Sequence, residues 1–234
     1  NLAVSGEIFR SHNHKTTASL KLWRLRIYKY IDDAELDVQR RQTGGWELGL
    51  EHRFRIGGVQ LEAGIDYKRG TGLFHSIAAP EEFNDEQDAI SGTSRMKIIN
   101  MQISLAAPFQ PANQSFSFES LFFAQWNKTP LVPQDKLSLG GQYTVRGFDG
   151  EHSLSGERGW YWRNNLNWYY ADEHQFYVGF DMGRVYGLST HGLPRQQLIG
   201  TAIGIKGSAQ IGGQLNYDLF IAKPISKPSY FKTE

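Results

Sequence analysis

Cysteine is absent from the 234 residues, which excludes disulfide staples, thiolate metal ligands and a cysteine nucleophile. A surplus of either charge is absent too: 25 Lys and Arg stand against 24 Asp and Glu, a formal net charge of +1. Nucleic acid, whose phosphates demand a clear basic excess, is therefore not an expected partner. Mean hydropathy is −0.47, and no apolar run approaches the roughly 18 residues of a membrane helix. That leaves membrane strands open, because they need apolar residues only at every second position. No phosphate-binding loop is present, and neither a nucleotide nor any other cofactor is expected. The residues Asn1-Leu2-Ala3-Val4-Ser5-Gly6 already alternate like a strand and show no signal-peptide pattern, so the chain is expected to start inside a larger protein.

What the sequence does have is alternation, sustained over long stretches. From 46 to 56 one parity reads Trp46, Leu48, Leu50, His52, Phe54, Ile56 and the other Glu47, Gly49, Glu51, Arg53, Arg55. After Ile56-Gly57-Gly58-Val59 the pattern resumes with Leu61, Ala63, Ile65 and Tyr67 against Glu62, Gly64, Asp66 and Lys68, which predicts two long strands joined by a glycine hairpin. Eleven strands are expected on this basis, over 2–10, 16–28, 33–41, 45–56, 58–70, 94–107, 114–127, 157–170, 174–187, 198–211 and 213–223.

A soluble β-sandwich also alternates, but its strands run to about five or six residues. Those predicted here mostly reach the nine to eleven or more that a tilted strand needs to cross a bilayer. Charges of both signs on the polar parity suit a wet lumen, and all six tryptophans fall in predicted strands, several near strand ends, as interfacial girdles require. Connections alternate short and long, the rhythm of periplasmic turns and external loops. The expected fold is all-β, a transmembrane antiparallel β-barrel. An open sheet edge is not tolerated in lipid, so strands beyond these eleven are implied.

Two segments concentrate unusual chemistry. In the long connection after residue 127, Leu139-Gly140-Gly141-Gln142-Tyr143-Thr144-Val145-Arg146-Gly147-Phe148 carries one arginine between glycines that let the backbone fold back. Later comes Tyr177-Val178-Gly179-Phe180-Asp181-Met182-Gly183-Arg184-Val185, where parity sets Asp181 on the face opposite Phe180 and Met182, toward the lumen. An inward carboxylate needs a partner, and Arg146 on an infolded loop can supply a two-pronged one; a solvated Arg146 on an external loop is the alternative.

Val145-Arg146-Gly147-Phe148, then Gly156-Glu157-Arg158-Gly159-Trp160-Tyr161-Trp162-Arg163-Asn164-Asn165-Leu166, then Phe180-Asp181-Met182-Gly183-Arg184-Val185 together resemble the barrel of a two-partner secretion transporter. These are the haemolysin-activator and contact-dependent-inhibition exporters of the outer-membrane insertase superfamily. The resemblance implies a sixteen-strand barrel, of which this chain supplies strands five to fifteen, with the Arg-bearing loop between strands eleven and twelve. It implies that Arg146 contacts Asp181 of the wall motif Phe180, Asp181, Gly183, and that Lys223 to Pro228 form the turn into the final strand. It also implies that the periplasmic polypeptide-transport-associated domains, the first strands and the last strand lie outside the chain. The sequence departs from the family at Gly179, where relatives often have an aromatic residue.

The implied function is an outer-membrane pore that secretes a large partner exoprotein, as a monomeric barrel embedded in outer-membrane lipid. An insertase of the same superfamily and a passive porin are the alternatives. No enzymatic activity is expected. His12 and His14 come close to ligand spacing but sit in a loop; Asp149, His152, Ser153 and Ser155 cluster without a catalytic spacing signature; the acidic run Glu81 to Asp88 lacks the glycine of a calcium loop.

Overall fold

Period-two patterning at this length builds long strands, and the chain is almost entirely made of them. The computed structural model describes residues 1–28, 30–31, 34–35, 41–77, 92–192, 196–210 and 212–231; the acidic run 81–88 lies outside them. In chain order the strands are β1 (Leu2–Arg10), β2 (His14–Ile27), β3 (Tyr30–Ile31), β4 (Ala34–Glu35), β5 (Arg41–Ile56), β6 (Val59–Thr71), β7 (Lys97–Phe109), β8 (Ser115–Asn127), β9 (Leu137–Leu139), β10 (Leu154–Gly156), β11 (Arg158–Ala171), β12 (His174–Tyr186), β13 (Gln197–Gln210) and β14 (Gln214–Ser226). Ten of them hydrogen-bond in the order β1-β2-β5-β6-β7-β8-β11-β12-β13-β14. β5 turns into β6 through Gly57 and Gly58, both at positive φ (54° and 85°), the conformation a two-residue hairpin demands.

Ten of the expected strands form within a few residues of their expected bounds. Of the one expected over 33–41, only 34–35 and 41 lie among the described residues; β3 and β4 pair there as a short ladder, Tyr30 with Glu35 and Ile31 with Ala34, and β5 begins at Arg41. The carboxyl end differs. Sequence reading ended the last strand at 223, where Lys223-Pro224 suggested a turn, but β14 runs on to Ser226. Its register shifts where Gly200 faces Pro224 and Ile199 faces Ser226, and a bulge of this kind absorbs the hydrogen bond that proline cannot donate.

Burial on β12 alternates strictly. Tyr177, Gly179, Asp181, Gly183 and Val185 are buried, whereas Val178, Phe180 and Arg184 are exposed. Many large apolar side chains are exposed on the outward parity of other strands, among them Leu48, Leu50, Ile203, Ile205 and Ile221. A face this apolar is unfavourable in water and matched to hydrocarbon.

Contacts divide the chain into two compact units. The first comprises residues 1–52, 64–101 and 125–136. Its apolar cluster is Trp23, Met96, Ile98 and Leu131, and the Lys68 ammonium lies 5.0 Å from the Trp23 ring. Trp23 is thus a core residue and no part of an interfacial girdle. Polar pairs join its elements: Lys21 with Glu47 at 3.5 Å and Asn100 donating to Asp66 at 2.9 Å between strands, and Lys68 of β6 with Asp135 in the turn after β8 at 3.3 Å. His14 and His52 lie with ring nitrogens 3.2 Å apart, and among the described residues no larger group of metal-ligating side chains gathers around any point. The second unit comprises residues 53–63, 102–124 and 137–234 and holds the candidate site.

Candidate functional site

The connection between β8 and β11 is built rather than loose. Its two arms pair as β9 and β10, with Leu154 opposite Leu139 and Gly156 opposite Leu137. The tip is shaped locally: the Thr144 amide donates to the Gly141 carbonyl at 3.0 Å, and Asp149 Oδ1 accepts from the amides of Glu151 and His152 at 3.0 and 3.3 Å. Apolar residues dock the loop. Val145 and Phe148 are buried with Leu137, Leu139, Leu154, Val185, Leu198 and Phe231, and Phe148 meets Phe231 edge to face at 5.7 Å.

This docking presents Arg146 to Asp181 on β12. Arg146 Nε donates to Asp181 Oδ2 at 2.6 Å and Nη2 donates to Oδ1 at 2.7 Å, while the Arg146 amide donates to Oδ2 at 3.0 Å. Nη2 also reaches Asn165 Oδ1 on β11 at 2.8 Å. The side chains are only 3% and 0% exposed, so the pair forms away from water, where a two-pronged contact is strongest and a missing partner most costly. Burial alone pulls the guanidinium below its ordinary proton affinity, but the Asp181 hydrogen bond and charge outweigh it, and Arg146 is held above its usual value. An aspartate engaged by three N–H donors is an anchor, not a general base.

Three glycines make the approach feasible. A Cβ at Gly179 would overlap Arg146 Nη2, one at Gly200 would overlap the Arg146 carbonyl oxygen, and one at Gly147 (φ 96°) would overlap the Lys223 carbonyl. At Gly179 the guanidinium lies directly on the backbone. Gly183 plays a related part, because its Cβ would sit 2.9 Å from Leu139 Cδ1. Phe180, on the opposite parity, has an exposed side chain, and its carbonyl accepts from Asn164 Nδ2 at 3.2 Å.

Glu157, at the return end of the loop, escaped the sequence reading. It is buried, and its Oε2 accepts from the Ser189 amide at 3.2 Å and hydroxyl at 3.0 Å, tying the loop base to the segment after β12. Its position directly after the small Gly156 was the available signal. Beside the ion pair lies a cavity of about 400 Å³ bordered by Gln142, Tyr143, Arg163, Tyr177, Lys206 and Asp218. Arg163 donates to the Tyr143 carbonyl at 3.1 Å, and Lys206 reaches Glu119 on β8 at 3.3 Å. Among the described residues no hydrogen bond links His152 to Ser153 or Ser155.

Phe148→Ala should cost the docked loop about 3–5 kcal/mol, the usual range for an emptied aromatic site. Limited proteolysis should then cut within 140–153 in the variant and spare the parent; equal resistance in both would contradict the packing described.

With this geometry the sequence comparisons become decisive. The profile of the haemolysin secretion/activation proteins ShlB/FhaC/HecB matches residues 1–207. The chain belongs to that family. Among curated proteins, the outer membrane transporter CdiB-2 of Burkholderia pseudomallei is 35% identical over 229 residues, covering 96% of this chain and 38% of the relative. The haemolysin transporter protein HpmB of Proteus mirabilis is 26% identical over 179 residues, 75% of this chain and 31% of the relative. CdiB from Acinetobacter baumannii superposes with a TM-score of 0.83 at 29% identity, over 99% of this chain and 39% of the other. The chain therefore spans under two fifths of these family members, and its ten long strands are part of their antiparallel transmembrane barrel.

Proposed function

We propose that this chain forms the pore wall of an outer-membrane transporter that secretes a large partner exoprotein. The carrying observation is the buried contact between Arg146 and Asp181, which pins an external loop against the lumenal wall. A passive porin gains nothing from burying an ion pair to hold a loop across its conduit, since breaking even, at best, is usual for such pairs. A conduit for polypeptide needs a plug or guide that keeps its place while the lumen is otherwise wet. The relatives' names, outer membrane transporter and haemolysin transporter, support the same reading. The barrel works as a monomer in outer-membrane lipid, and the reading uses no catalytic group and no cofactor.

The test pairs two measurements on the full-length protein in its own outer membrane. Partner exoprotein should appear outside the cell, and planar-bilayer recordings should show low or intermittent conductance that rises when residues 140–153 are deleted. A large steady channel unaffected by that deletion would favour the porin.

A further inference from the structure

Among the described residues, Arg163 is a lumenal cation with no carboxylate of its own. It shares its strand face with Asp181, its register partner on β12, but both oxygens of Asp181 are taken by Arg146. Other carboxylates on this wall have donors as well. Glu62 accepts from Gln60 at 2.7 Å and lies 3.3 Å from Arg53 Nε. Glu119 lies 3.3 Å from Lys206, and Asp218 accepts from the Tyr177 hydroxyl at 3.0 Å. Arg163 has only the Tyr143 carbonyl, to which Nη1 donates at 3.1 Å; its Nε is shielded from solvent with no acceptor.

Arg163 borders the cavity of about 400 Å³ beside the loop tip, whose walls include Gln142, Tyr143, Tyr177 and Phe220. It also borders a second cavity, of about 370 Å³, next to Ser104, Ser120 and Asn165. A guanidinium carries five N–H donors and accepts nothing, so a single carbonyl leaves most of it unmet. A carboxylate answers such a fork with two parallel acceptors. The rings of Tyr143, Tyr177 and Phe220 offer apolar surface to the stem of an acidic side chain, and the Gln142 amide can both donate to and accept from a peptide backbone. Asp218 on the same rim opposes a doubly charged phosphate more strongly than a singly charged carboxylate. A conduit also needs sites weak enough to let go of what they hold, and one cation in a wet lumen meets that need.

We infer that Arg163 receives the carboxylate of an acidic side chain, Asp or Glu, on the polypeptide crossing the barrel. The site rests on the transport reading proposed above, which supplies that polypeptide. Because Arg163 also holds the Tyr143 carbonyl, an incoming acidic residue meets the docked loop and the barrel wall at the same place.

Full-length protein in detergent is titrated with a fluorescent, end-capped peptide of serine and glycine carrying one central glutamate, and with the same peptide carrying glutamine there. The glutamate peptide should bind at least about tenfold more tightly, the smaller effect expected of charge-assisted hydrogen bonds. Arg163→Gln should remove that preference, and Arg163→Lys, which keeps the charge and gives up the fork, should retain part of it. Equal binding of the two peptides by the parent overturns the site, as does a preference that Arg163→Gln keeps. Protease resistance of 140–153 is measured on the same variants: a loop cut in both, with the preference gone from both, assigns Arg163 to loop support alone and also overturns the site. Displacement of the peptide by inorganic phosphate at concentrations where acetate has no effect overturns the carboxylate as ligand. Secretion is scored separately: its absence in the parent contradicts the transporter reading and leaves the peptide titration interpretable.

Discussion

Asp181→Asn should release the loop between β9 and β10 while leaving the barrel inserted. The substitution keeps shape and removes charge, so Arg146, 3% exposed, loses its only ion-pair partner among the described residues. Breaking one half of a buried pair costs about 3–5 kcal/mol, comparable with the whole docking energy of a short loop. Protease should therefore cut within 140–153, and secretion of the partner should fall at least tenfold. Restoring charge by exchange, Arg146→Asp with Asp181→Arg, should fail. Asp181 also accepts the Arg146 amide at 3.0 Å, and an arginine at 181 offers donors only. It would moreover face Arg163, its register neighbour on β11. Recovery of secretion by the exchanged pair would show that charge alone matters and that the loop backbone is not part of the anchor.

Nearly as large an effect is expected with no change of charge. Gly179→Leu puts a side chain where the guanidinium now lies, and Gly200→Val puts one where the Arg146 carbonyl lies. Overpacking of this kind costs about 1–3 kcal/mol or more, and here rearrangement of the neighbour means expulsion of the arginine from its site. Both variants should reproduce the protease sensitivity and secretion loss of Asp181→Asn. Gly6→Ala, where nothing lies within 4 Å of the added carbon, is the matched control and should behave as the parent. If Gly179→Leu and Gly200→Val secrete normally, contact between loop and wall is dispensable.

Parity carried the sequence reading a long way. Period two alone places Asp181 opposite Phe180 and toward the lumen, because side-chain direction in a strand is fixed by position. Strand length separated membrane from soluble architecture for the same elementary reason. What parity does not encode is close approach: the need for Gly179 depends on the Arg146 guanidinium lying against β12, and the need for Gly200 on the loop backbone lying against β13. Nor does it encode the contact of Phe148 with Phe231, made by residues far apart in sequence, or the hold of Glu157 on Ser189. Strand ends failed where one residue type was over-read. Pro224 stopped the expected last strand at 223, yet the bulge beside Gly200 carries β14 past it, and that same irregularity lies against Gly147.

The most direct measurement is partner secretion by full-length Asp181→Asn, normalised to the amount of heat-modifiable barrel in the outer membrane. An anchored loop that the transporter requires predicts normal insertion with secretion reduced at least tenfold. Undiminished secretion from a normally inserted variant would contradict it.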